Sequence, residues 1–104
     1  MSPSDHRTAG RHEADVVRET VLSVPGVVDL HGGSLGEVGT YLPGRRVVGV
    51  RLRPERTEVH VVVTHGSPVR ATADLVRGAV ARVRPGAVDV TVEDVAPAPA
   101  PGPT

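Results

Sequence analysis

The side chains of this chain that could do chemistry fall into small groups, and none has the company its chemistry demands. His60 and His65 lie close together, with Glu58 on the same predicted strand face as His60. A protein-bound metal ion wants three or four converging ligands. His65 falls in a connection ahead of a predicted helix and need not face His60, so both read as solvated imidazoles and no metal ligand is assigned. His6 and His12 fall in an N-terminal tail predicted to be disordered. Ser23, Ser34 and Ser67 could act as nucleophiles only beside a base and its orienting partner. Each has a structural reading instead: a helix end, a loop and a helix cap. With no cysteine in the chain, disulfides, thiolate metal sites and thiol nucleophiles are excluded. No catalytic residue and no cofactor are expected.

Two glycine patterns suggest phosphate binding, and neither meets its physical requirements. Gly39 to Arg46, GTYLPGRR, has the glycine spacing of a P-loop. A P-loop follows a strand, opens a helix and ends in Lys then Ser or Thr. Arginine stands at both places here and the segment leads into a strand, so a loop with a type II-like turn at Pro43-Gly44 is expected. Gly33-Ser34-Leu35-Gly36 has the outline of the backbone clamp of RNA-binding KH domains, but it is uncharged and falls between predicted strands. Tyr41 is the only aromatic residue, whereas single-strand readers stack bases on several rings. A small KH-like nucleic-acid-binding domain, favoured by the clustering of Arg45, Arg46, Arg51 and Arg53, is therefore the alternative reading.

The elements that must carry these residues are few. The chain has 104 residues, and without residues 1–12 and 96–104, both predicted to be disordered tails, about 80 remain for a single domain, 13–95. Twelve acids balance twelve bases, all arginine, so no global field steers the chain toward nucleic acid or anionic lipid. No stretch approaches the ~20 apolar residues of a transmembrane helix, and no secretory leader is apparent. A cytoplasmic protein is expected, without direct membrane insertion and peripheral to the membrane only through a partner.

From Glu13 to Val24, Ala14, Val17, Val21 and Val24 recur at helical spacing. Pro25-Gly26 ends that helix and Val27 to His31 reads as a short strand. His31 to Arg46 is too rich in Gly and Pro for regular structure. Val48, Val50 and Leu52, then Val59, Val61 and Val63, alternate with polar residues. This predicts a hairpin with a four-residue turn at Pro54–Thr57, with Val48 opposite Val63, Val50 opposite Val61 and Arg53 opposite Glu58. Ser67 is expected to cap a helix that begins at Pro68 and buries Val69, Ala73, Val76, Val80 and Val83. Val88, Val90 and Val92 form the last strand. The arms Val16–Leu30 and Leu75–Val90 match one another when Arg84 is treated as an insertion. The expected fold is α+β: a two-layer sandwich in the order α-β-β-β-α-β, with both helices on one face of a mixed four-stranded sheet.

On these residues the chain resembles a known family. YLPGRRVVGVRL (Tyr41 to Leu52) is similar to short actinobacterial members of the alkaline-shock, or envelope stress response, protein family. EVHVVVTHGSPVRATADLVRGAV (Glu58 to Val80), PGAVDVTVEDV (Pro85 to Val95) and VLSVPGVVDL (Val21 to Leu30) resemble that family's strand–glycine–helix core, closing strand and opening passage. The resemblance covers roughly residues 14 to 95. It implies a non-enzymatic structural or interaction protein of the cell-envelope stress response, acting through self-association as a homo-oligomer or through a membrane-anchored protein partner, with no nucleic acid. The expected contact surface comprises Tyr41, Arg45, Arg46, Arg51 and Val62, with Tyr41 read equally as a lid on its own core or as an anchor.

Overall fold

Valine spaced for burial builds both layers. A computed structural model describes residues 12–97, and among them it contains two helices and six strands. In order these are α1 (Glu13–Leu22), β1 (Val27–Leu30), β2 (Gly39–Leu42), β3 (Arg45–Val48), β4 (Val50–Arg53), β5 (Arg56–Thr64), α2 (Val69–Val83) and β6 (Ala87–Ala96). The expected tails lie largely outside the described residues. His12, assigned to the tail, instead caps α1: its Nδ1 accepts from the Ala14 N–H at 3.0 Å, and Asp15 accepts from the His12 N–H at 2.9 Å. This reciprocal capping box satisfies two of the helix's orphan donors.

β5 is the spine. Thr57, Val59, Val61 and Val63 point toward the helices and are all but inaccessible to solvent. They pack with Ala14, Val17 and Val21 of α1 and Val76 and Val80 of α2, and both helices cover the same sheet face. Strand β6 pairs parallel to β5 along its whole length, while β4 and β1 pair antiparallel to it. The result is an α+β sandwich on a mixed four-stranded sheet.

The hairpin differs from its expected form in its turn and in a kink at Gly49. The turn is the two-residue Pro54-Glu55, with Glu55 at φ 57°. Val50 therefore faces Val59, Leu52 faces Thr57, and Arg51 rather than Arg53 stands opposite Glu58. A shift of two leaves the side chains of β4 and β5 on their expected faces. Gly49 sits at φ +81°, in the left-handed region, and a Cβ there would lie 2.7 Å from that of Leu30. This kink inverts the alternation: Val47 is buried and Val48 is exposed, the reverse of the expected parity. Beyond the kink β3 leaves β5 and pairs with β2, so the glycine-rich segment forms a second hairpin around Pro43-Gly44. The vacated half of β5 is taken by β1, with Val27 against Val63 and Asp29, not Gly49, against Val62. The handover occurs at His60, whose N–H donates to Gly49 O at 3.0 Å and whose carbonyl accepts from His31 N–H at 2.8 Å.

α2 starts one residue later than expected, with Pro68 in the capping position and no side-chain cap from Ser67. Its buried stripe is Thr72, Val76 and Val80, with Val69 and Val83 about two-fifths exposed at the two ends. The matching arms share several features. Val17 and Val76 are both wholly buried, as are Val21 and Val80. Gly26 and Gly86 both adopt positive φ. β1 and β6 flank β5 in opposite directions.

Candidate functional site

The β2–β3 hairpin brings together Tyr41, Arg45 and Arg46, and the three are held in different ways. Tyr41 is 73% exposed, so it does not close the core. It stands opposite Arg46 in the ladder, and the Arg46 guanidinium lies over its ring at 5.3 Å from the centroid. Cation–π contact of this kind fixes an otherwise free ring. Arg46 is itself anchored, donating through one terminal nitrogen to the carbonyls of Gly36 and Val38, the latter at 3.2 Å. Its side chain crosses Gly39 where a Cβ would stand, so glycine is the residue that admits this arrangement. The sole aromatic residue is thus mounted on a stiff support and turned outward.

Arg45 reaches back to α1 and grips Asp15 with two hydrogen bonds, at 2.7 and 2.6 Å. This fork-to-fork geometry is the strong form of an ion pair. The Arg45 hydrogen bonds, helped by the His12 N–H, hold the Asp15 carboxyl at a pKa of about 2. The pair ties the second hairpin to the first turn of α1, and with Arg18, Asp29, Leu30, Val47 and Val48 it lines an open groove of about 480 Å³.

The two remaining contact candidates stand on the four-stranded sheet, Arg51 on β4 and Val62 on β5. Arg51 donates to Glu37 O at 2.8 Å, bracing the glycine-rich loop. Val62 is half-buried on the open sheet face opposite Asp29.

That open face carries charge. Arg53 pairs with Glu58 at 2.5 Å, diagonally rather than directly across the ladder, and Arg56 pairs with Asp89 at 2.6 Å. His60 Nδ1 lies 2.7 Å from Glu93 Oε2, and both side chains are largely buried. Glu93 was invisible as a partner in the sequence because only the parallel register of β6 against β5, with a bulge after Val92, brings it there. Among the described residues no group of three or more His, Asp or Glu side chains gathers to hold a metal ion.

Arg84 was also missed as an organising residue. Its guanidinium donates to Arg53 O, Arg56 O and Thr57 Oγ1 at 3.0, 2.8 and 2.9 Å, clamping the Pro54-Glu55 turn. The one available signal was its status as the extra residue in the second arm. The Gly33–Gly36 loop is closed by its own neighbour: Glu37 Oε2 accepts from the Leu35 N–H at 3.1 Å. A carboxylate therefore stands at the backbone donor that a phosphate clamp would have to offer. No helix among the described residues is long and apolar enough to cross a membrane. No protein-family model, curated protein or solved structure matches the chain.

Proposed function

We propose that this chain is a non-catalytic protein-interaction module of the bacterial cell-envelope stress response, working from the cytoplasmic side through self-association or a membrane-tethered partner. The envelope role rests on the resemblance of Tyr41–Leu52, Glu58–Val80 and Pro85–Val95 to the alkaline-shock family. The interaction role rests on one observation: the sole aromatic ring is 73% exposed and stacked under an anchored arginine. Rigid Tyr and Arg side chains supply contact area at little entropic cost and dominate binding hot spots. Tyr41 is the anchor of the surface, with Arg46 as its support and Arg45 on its flank. The Glu37 carboxylate at the Leu35 N–H supports this reading over a KH-like clamp on nucleic acid.

Tyr41→Ala tests the reading. An exposed residue outside the core should leave the melting temperature within about 4 °C, since surface changes are worth roughly ±0.5 kcal/mol. Membrane proteins that co-purify with the wild-type chain under mild detergent should be lost from the variant. Undiminished co-purification in a folded Tyr41→Ala protein overturns the proposal.

A further inference from the structure

The tenth residue of β6 is reached without any partner on its outer side: among the described residues β6 pairs with β5 alone. A free edge of this length is a template for another strand. Its backbone groups can be assigned by alternation. The Ala87 N–H donates inward, to Glu55 O at 3.0 Å, so the N–H and C=O groups of Val88, Val90 and Val92 face outward.

Both ends of this edge are already occupied. Arg77 Nε donates to Val88 O at 3.3 Å, and Asp94 Oδ1 accepts from the Val95 N–H at 2.8 Å. The bulge after Val92 breaks the straight run. What remains is a regular segment from Ala87 to Val92 whose outward groups centre on Val90, with the Val88 carbonyl, held by Arg77, left to share its second lone pair.

We infer that β6 pairs antiparallel with β6 of a second copy, about a two-fold axis at Val90. The side chains select this register. Asp89 and Thr91 project on the open sheet face, with Glu93 beyond them at the bulge. A two-fold at Asp89 sets that carboxylate against itself, and one at Thr91 sets Asp89 against Glu93 of the other copy. Like charges directly opposite are destabilising. The two-fold at Val90 sets Asp89 opposite Thr91 and Val88 opposite Val92, with Val90 meeting its own copy through two N–H···O bonds. The valines then form one continuous stripe beneath both copies of α2, and the contact is isologous and closed. It uses none of the hairpin residues, so it stands apart from the Tyr41 surface.

The test is the monomer–dimer equilibrium of the full chain by sedimentation velocity across micromolar to millimolar concentration. The wild-type chain should dimerise within that range. Thr91→Lys places an ammonium opposite Asp89 of the other copy twice per dimer, and should tighten dimerisation by roughly threefold to tenfold. Thr91→Glu should weaken it by a similar factor. Val90→Pro removes an outward-facing N–H together with a partly buried side chain, so a variant that circular dichroism shows to be folded should have lost the dimer. A wild-type chain that stays monomeric throughout overturns the inference. So does a Thr91→Lys variant that dimerises more weakly, which is the behaviour of a two-fold at Thr91. Loss of the dimer in Tyr41→Ala would move the contact to the hairpin and overturn β6 pairing while leaving the Tyr41 surface standing.

Discussion

Asp15 shows how much one surface carboxylate can be asked to do. It closes the capping box of α1, receives both arms of Arg45, and so fastens the second hairpin to the helix layer. Its folded pKa of about 2 lies below the ordinary 3.8. A depressed carboxylate contributes stability that is present above the unfolded value and lost as pH falls through the folded one. The contribution should therefore be intact at neutral pH and decline between pH 4 and pH 2. Arg45→Ala should remove most of that dependence and bring the Asp15 titration measured by NMR back toward the ordinary range, leaving the smaller contribution of the His12 N–H. An acid limb of the stability curve identical in wild type and variant would show that Asp15 does not carry it.

At the scale of elements, the two helices, the spine strand and the closing strand were legible because their signals are local. Val17 and Val21, Val76 and Val80, and the alternation of Val59, Val61 and Val63 each state a periodicity that burial then uses. The turn of the second hairpin at Pro43-Gly44 was legible but its strands were not, because Gly and Pro in His31–Arg46 read as breakers of regular structure although Gly39 makes room for Arg46. The parity of Val47 and Val48 was lost for a related reason. Alternation cannot be carried through a glycine whose φ is positive. Of the contact candidates, Tyr41, Arg45 and Arg46 come together because they share one hairpin, while Val62 lies on β5 opposite Asp29 of β1. Gly49 and Gly44 make a matched pair for measurement. Both have positive φ, near +81° and +75°, but only Gly49 is crowded, by Leu30 and the backbone of His31. Gly44→Ala should cost about 1–2 kcal/mol, the left-handed penalty alone. Gly49→Ala should cost more than that by about 1–3 kcal/mol, the scale of an overpacking clash. Equal denaturation midpoints for the two variants would mean that β1 and β4 do not crowd together at the kink.

For the molecule as a whole, the paired arms and the spine between them imply a near two-fold plan, with α1–β1 and α2–β6 on opposite sides of β5. The plan is not symmetric in strength. β6 runs the full length of β5, whereas β1 holds only its last third, the remainder of that edge belonging to β4. Because β5 shares one margin between two separate strands, release of β1 with β4 still in place is predicted, giving the margin two lifetimes. Amide hydrogen exchange resolves them. The Thr64 N–H is held by Gly26 O at 2.8 Å, just before β1, and the His60 N–H by Gly49 O at 3.0 Å, at the start of β4. Thr64 should exchange through a partial opening that frees α1 and β1 together, with a free energy below that of global unfolding, whereas His60 should exchange only when the whole domain unfolds. Denaturant should then accelerate His60 more steeply than Thr64, and parallel slopes would mean that the domain opens as one unit. Where the two differ, opening bares the Val61–Val63 margin of β5, and the population of that short-lived state, rather than the resting surface, sets how readily the chain is captured by proteases or by foreign strands.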